Sequence, residues 1–406
     1  MPFSVCSNKN APVPFTHRSS TDKAHTFKVG SSPITHTMIS ARLFRSPAAR
    51  SFAQTRGYAS QVAKFEGKKN ANGKYTVSFI EGDGIGIEIS KAVKSIYAAA
   101  DVPIEWESCD VTPILVNNQT AIPQAAIDSI NKNLVALKGP LATPVGKGHK
   151  SLNLTLRKTF DLFANVRPAK SIEGYATPYE NVNTVLIREN TEGEYSGIEH
   201  TVVPGVVQSI KLITREASEK VIRYAFQYAR SINKPKVLVV HKATIMKLSD
   251  GLFVETAKDV AKEFPDVSID FEIIDNTSLK LVTDPSKYSD VVMVMPNLYG
   301  DIMSDLASGL IGGLGLTPSG NMGDRVSIFE AVHGSAPDIA GQNKANPTAL
   351  LLSSCMMLQH MGLQSYADKI QSAVLKTIAS GPENRTGDLK GSSTTDHFTE
   401  QVIKNL

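Results

Sequence analysis

The amino-acid sequence predicts an α/β protein built around a parallel sheet, and three observations lead there. Short unbroken apolar runs, Val291–Met295 and Val237–Val240 among them, are what strands covered on both faces require. Helical periodicity follows each of them: Phe253, Ala257, Val260, Ala261 and Phe264 after Val237–Val240, and Leu306, Leu310 and Ile311 after Val291–Met295. Finally, Arg188, Lys242, Asp275 and Asp301 all fall at or just past expected strand ends, where open α/β sheets gather their active sites.

A chain of 406 residues holds one large or two ordinary domains. Its 41% hydrophobic and 20% charged content is that of a globular enzyme. No apolar run approaches the roughly 20 residues of a membrane span. Cys6, Cys109 and Cys355 are scattered, which indicates neither a disulfide framework nor a zinc site. The net charge of +4 comes from the head of the chain. Residues 1–60 hold 8 of the 43 basic residues and 1 of the 39 acids, so the remainder has 35 against 38, or −3. That body has no electrostatic case for nucleic acid. The head is Ser- and Arg-rich and acid-poor, the composition of a mitochondrial transit peptide, with Met38–Phe52 resembling a presequence on its own.

Taken in order, Tyr75–Ile80 reads as the first strand and Ile85–Ala99 as the first helix. Between them, Glu81-Gly-Asp-Gly-Ile-Gly86 has the spacing G-x-G-x-G rather than the dinucleotide G-x-G-x-x-G. It reads first as a tight strand-to-helix turn with Asp83 near a helix start. Leu134–Lys138 is a second short strand, leading into a loop of small residues from Gly139 to Gly148. Ser151 and Asn153 follow on a short segment with alternating leucines, one helix turn before Arg157. Arg167 comes next, and Arg188 ends the strand Thr184–Ile187. A single arginine is ordinarily a surface ion pair. Three near glycine loops suggest a site for a multiply charged carboxylate or phosphate, because the guanidinium fork binds oxyanions in bidentate fashion.

Tyr195 stands behind the charged stretch Arg188–Glu194. It is either a half-buried packing residue or, with basic neighbours, a general acid. His241-Lys242 closes the strand Val237–Val240, and Val267–Ile274 alternates as a strand that stops at Asp275. After Val291–Met295, Asn297 and Gly300 make a turn and Asp301 starts a helix. Asp301 and Asp305 are four residues apart, so one turn stacks two like charges that repel unless a cation lies between them. The plainer reading makes Asp301 a helix N-terminal acid and Asp305 a solvated one. Near the end, His333-Gly334 sits in a loop more exposed than a core histidine would be, and Asp338 can accept from a ribose diol. Asn346-Pro347 reads as a helix start, N-cap then N1.

From Tyr75 to Leu406 the chain resembles the β-decarboxylating isocitrate/isopropylmalate dehydrogenase family. The carrying residues are Ser151–Arg157, Ala164–Pro168, Arg188–Tyr195, His241-Lys242, Asn297–Asp305 and His333–Asp338. Within the family it looks most like the catalytic subunits of the NAD-dependent mitochondrial isocitrate dehydrogenases. The resemblance implies a fold that is not a Rossmann fold. A large domain would take residues 61–162 and 313–406, and a smaller one 163–312, with an intersubunit clasp at about 193–214. It implies that Ser151 and Asn153 bind the carboxylate peculiar to isocitrate, and that Arg157, Arg167 and Arg188 clamp the others. Asp301 and Asp305, with Asp275 from a neighbouring subunit, would hold Mg²⁺ or Mn²⁺. NAD would be bound by Thr143, His333, Gly334, Asp338 and Asn346. Lys242 and Tyr195 would carry the proton transfers that turn isocitrate into 2-oxoglutarate and CO₂. The partner implied is a homologous regulatory subunit in a hetero-oligomer, and the compartment is the mitochondrial matrix. Two alternatives stand beside this: a non-catalytic regulatory paralogue binding citrate or a nucleotide, and a dehydrogenase of 3-isopropylmalate or homoisocitrate. The first would be expected to lack part of the Ser/Asn/Arg or Asp set, and the second would need other side chains than Ser151 and Asn153.

Overall fold

The structure, a computed structural model, describes residues 65–116, 119–142 and 151–406, all within one compact unit, Ala59–Leu406. The presequence reading of residues 1–60 and the cofactor role of Thr143 lie outside the described residues. The chain opens with β1 (Tyr75–Ile80), α1 (Gly86–Ala99), β2 (Ile104–Ser108), β3 (Ile114–Val116), β4 (Gln119–Ala121), α2 (Gln124–Asn133) and β5 (Val135–Lys138). Next come α3 (Leu152–Thr159), β6 (Ala164–Lys170), β7 (Asn183–Glu189), β8 (Glu199–Val203) and β9 (Val206–Ser209). Three βα pairs follow: α4 (Arg215–Ser231) leads into β10 (Lys236–His241) with α5 (Ser249–Ala261), β11 (Ser268–Ile273) with α6 (Ile274–Thr283), and β12 (Val291–Met295) with α7 (Asn297–Leu310). The last elements are β13 (Pro318–Met322), β14 (Ser327–Ala331), α8 (Thr348–His360), α9 (Gln364–Ala379) and α10 (Thr395–Lys404).

Ten strands form one sheet in the order β11-β10-β12-β7-β6-β13-β14-β5-β1-β2. The strands at both ends of this sheet pair in parallel, and β7, β6, β13 and β14 pair antiparallel across the middle. Strands drawn from residues 163–312 fill one side and those from the flanking stretches fill the other, meeting where β6 pairs with β13. Every residue of β5, β12 and β14 is buried, as strands covered on both faces should be. The four neighbouring strands β11, β10, β12 and β7 run the same way. Their carboxyl ends therefore bring Asp275, Lys242, the start of α7 and Arg188 to one edge.

Local differences from the sequence reading have physical causes. Helix α7 begins at Asn297, not Asp301, because Pro296 precedes it with extended backbone (ψ 160°) and Gly300 N–H already bonds to Pro296 C=O. Asn346 does accept a helix-terminal N–H, from Thr348 at 3.0 Å, but the helix starts one residue later than expected. The β8–β9 hairpin stands outside the large sheet with every residue exposed, and a bridge between Gly193 and Leu212 closes its base.

Candidate active site

Arg188 is the penultimate residue of β7, with 1% exposure. Such a charge needs partners, and α7 supplies them. Asn297 Oδ1 accepts from Nε at 2.9 Å and from Nη2 at 2.7 Å, and Asp301 accepts from Nη1. Gly300 makes this approach possible: a Cβ there would meet Arg188 Cγ at 2.5 Å. Tyr195, in a one-turn helix at Glu194–Ser196, donates its hydroxyl to the other oxygen of Asp301 and lies under the Arg188 guanidinium at 4.9 Å. Arg167, from β6, donates to Asn165 at 2.7 Å, to Ser304 at 2.6 Å and to Asp305 at 3.0 Å.

Arg157 on α3 completes the group: its Nη2 is 3.8 Å from Glu330 on β14. Burial opposes the Glu330 charge, but Lys138 at 2.7 Å and Arg157 outweigh it and hold the carboxyl down at about 2. For Arg188, burial and then the Arg157 charge lower the pKa to about 10, with Asp301 acting the other way and Arg167 adding to the fall. Arg167 is also lowered, by burial first, against the pull of Asp305 and Asp301. Three guanidiniums that feel one another in a dry setting favour a ligand bearing several negative charges. Tyr195 has its pKa raised by burial and then by Asp301, so its phenol keeps its proton at neutral pH.

Ser151 precedes α3 and Asn153 lies in its first turn. Asn153 Oδ1 is buried without a partner among the described residues, an acceptor left for something that enters. Lys242 and Asp275 are brought to each other, at 2.7 Å, and have no direct contact with the arginine group. Asp301 and Asp305 are hard oxygen donors on one face of α7, suited to Mg²⁺ or Mn²⁺. Among the described residues no third carboxylate, His or Cys joins them, so the pair fits a divalent cation as part of a ligand set and not as the whole of it.

The segment from His333 packs on the glycine turn. Ile85 N–H donates to Ser335 C=O at 2.9 Å, and a Cβ on Gly84 (φ 59°) would lie 2.0 Å from that oxygen. The glycines of Glu81–Gly86 thus serve a turn and a close chain approach. A cavity of about 410 Å³ opens beside it, lined by Glu81, Gly82, Asp83, Leu141, Ala142 and Leu152. His333 is less exposed than its sequence setting implies. Its Nε2 is buried and unpaired among the described residues, and burial lowers its pKa, which leaves the ring neutral. Gly334 and Asp338 are exposed. The Asn346 amide is engaged by Asp388 at 2.9 Å and by Thr348, so its capping role is real.

Sequence reasoning missed Asn297, Asn165, Ser304, Lys138 and Glu330. The charge of Glu330 inside the apolar run Ile328–Val332 was the available signal, since a carboxylate in a buried strand demands a cation.

The model of the isocitrate/isopropylmalate dehydrogenases matches residues 76–402. The chain is 70% identical over 371 residues to the mitochondrial isocitrate dehydrogenase NAD subunit 2 of Saccharomyces cerevisiae, covering 91% of this chain and 100% of that one. It is 53% identical over 356 residues to a mitochondrial NAD isocitrate dehydrogenase regulatory subunit of Dictyostelium discoideum, covering 87% and 96%. Among solved structures, the isocitrate dehydrogenase of Methylococcus capsulatus superposes with a TM-score of 0.75 at 44% identity, covering 82% of this chain and 99% of that one.

Proposed function

The chain belongs to the isocitrate/isopropylmalate dehydrogenase family, and on that footing we propose that it is the catalytic subunit of an NAD-dependent isocitrate dehydrogenase. The reaction is oxidative decarboxylation of isocitrate to 2-oxoglutarate and CO₂, in the mitochondrial matrix and within the tricarboxylic acid cycle. The observation that carries this reading is the convergence of Arg157, Arg167 and Arg188 on one side of α7, around the Asp301–Tyr195 hydrogen bond.

The three arginines bind two of the substrate's carboxylates and fix its orientation. Ser151 and Asn153 take the third, with the Ser151 hydroxyl and the Asn153 Nδ2 amide as the donors that a carboxylate needs. Asp301 and Asp305, with Asp275 of a neighbouring subunit, would hold a divalent cation, which would supply Lewis-acid polarisation of the substrate. NAD⁺ would take the C2 hydride, and the C2 hydroxyl proton would leave toward a lysine lent by the neighbouring subunit, as this chain lends Lys242. Loss of CO₂ from the resulting 3-carboxy-2-ketone leaves the C–C electron pair in an enolate. Tyr195, kept protonated by its surroundings, gives its proton to C3. Neutral His333, backbone at Gly334, and Asp338 suit the adenosine half of NAD, with Asn346 near the adenine and Thr143 near the nicotinamide.

Lys242 and Asp275 pair with each other, and among the described residues neither side chain shares a hydrogen bond or ion pair with Tyr195, which supports their serving a neighbour's site. In this reading residues 163–312 form a smaller lobe, the remainder of the body a larger one, and the exposed β8–β9 hairpin the clasp between subunits. The neighbour is a homologous regulatory subunit. Steady-state assay of the purified chain with isocitrate and NAD⁺, alone and with that subunit, tests the proposal. Turnover is expected to be weak alone and full in the complex. Full turnover of the chain alone would remove the partner from the account, and none in either form would assign the chain a regulatory role.

A further inference from the structure

A second buried polar group lies where three functional segments meet. Asp250, in the first turn of α5, has 0% exposure. Its Oδ2 accepts the backbone N–H of Lys242 at 2.6 Å and the hydroxyl of Tyr299 at 3.1 Å. Its Oδ1 lies 2.7 Å from Nζ of Lys211, whose side chain is buried over the Tyr299 ring at 4.1 Å. The same Nζ is 3.7 Å from Glu194 Oε1, and Glu194 Oε2 is buried without a partner among the described residues.

Each member of this group adjoins a residue of the proposed reaction. Glu194 immediately precedes Tyr195, and Tyr299 stands two residues before Asp301 on α7. Lys242 is bonded through its own backbone. Lys211 lies two residues past the end of β9, next to the Leu212–Gly193 bridge. The buried Asp250 carboxylate and Lys211 ammonium, with the part-exposed Glu194 beside them, carry a desolvation penalty that their attraction does little more than cancel, and apolar side chains of like volume would hold such a spot about as well. What apolar side chains would not supply is a fixed distance and direction between three chain segments.

We infer that Glu194, Lys211 and Asp250 are positioning residues, which hold Tyr195 and Asp301 of this chain's site in register with the Lys242 that it lends to a neighbour. This rests on the catalytic reading above. The triad has no direct contact with Arg157, Arg167 or Arg188, so substrate binding is expected to survive its loss.

The test is made on the assembled complex with Lys211→Met, Lys211→Arg and Tyr299→Phe, the last deleting one hydroxyl. Misplacement of reacting groups by about 1 Å costs up to about 100-fold in rate. Lys211→Met is therefore expected to lower kcat by about 10- to 100-fold with KM for isocitrate little changed, and Tyr299→Phe to lower it less. Lys211→Arg, which keeps the charge, recovers part of the loss. Wild-type kcat in both Lys211→Met and Tyr299→Phe would overturn the inference. So would a parallel fall of kcat, substrate affinity and Tm that Lys211→Arg does not relieve, since that is the pattern of a packing role. If Lys211→Met fails to fold, Tyr299→Phe decides alone. Tyr195→Phe, run alongside, separates the two failures. Full turnover in it would count against the catalytic reading itself, whereas its inactivity beside normal Lys211→Met and Tyr299→Phe would count against the triad alone.

Discussion

Replacing Glu330 by Gln removes the one anion that Lys138 and Arg157 share. Its side chain is 10% exposed and that of Lys138 4%, so solvent screens the pair little. The carboxyl sits at about 2 instead of its ordinary 4.5. Two and a half units at about 1.4 kcal/mol each amount to about 3 kcal/mol of stability at neutral pH. Breaking a buried pair by deleting one partner costs a similar amount, about 3–5 kcal/mol. The sign follows from the depressed pKa: the contribution is fully present above about pH 4.5 and is lost as pH falls toward about 2. Unfolding free energies from urea titration of wild type and Glu330→Gln, at equal protein concentration, should therefore differ by about 3 kcal/mol at pH 7 and by only about 1 kcal/mol at pH 3. A difference below about 1 kcal/mol at pH 7, or one that does not narrow in acid, would refute the reasoning.

Other perturbations reach the site directly. Gly300→Ala adds a better helix former, yet its Cβ would press on Arg188 Cγ at 2.5 Å, so kcat/KM for isocitrate should fall while the helical circular dichroism holds. Normal kinetics would mean that Arg188 is not part of the clamp. Asp305→Asn should raise the Mg²⁺ or Mn²⁺ concentration needed for half-activity sharply with the fold intact; an unchanged titration would return the pair to the role of helix acids. For Asp338, whose carboxylate would repel a 2′-phosphate, kcat/KM with NAD⁺ should far exceed that with NADP⁺, and Asp338→Lys should narrow the ratio. Equal use of both cofactors by the wild type would sink that assignment.

Much of this architecture was legible because its signals are local. Val291–Met295 and Tyr75–Ile80 announce themselves by composition and are the strands β12 and β1 to the residue. The Asp301/Asp305 pair needs only helix period to be noticed, and the structure puts both beside Arg167. What stayed hidden depends on strand neighbours distant in sequence. Asn165 meets Ser319 and Asn321 across the β6–β13 pairing, and Glu330 meets Lys138 across β14–β5. Asn297 looked like a turn residue because its helix begins four residues before the first acid, and only the buried Arg188 beneath explains it. His333 looked exposed from its glycine and proline neighbours, but the close approach of Ser335 to Gly84 draws its loop against the body.

The central claim is that this chain keeps a working site with Tyr195 and lends Lys242 to another. The direct measurement is isocitrate oxidation by complexes in which this chain carries Tyr195→Phe or Lys242→Met beside a wild-type homologous partner. Tyr195→Phe should abolish turnover, because it removes the proton donor from this chain's own site. Lys242→Met should spare this chain's own site and damage the partner's. Undiminished activity with Tyr195→Phe would make the chain regulatory, and equal loss with both changes would place the lysine in its own chain's site.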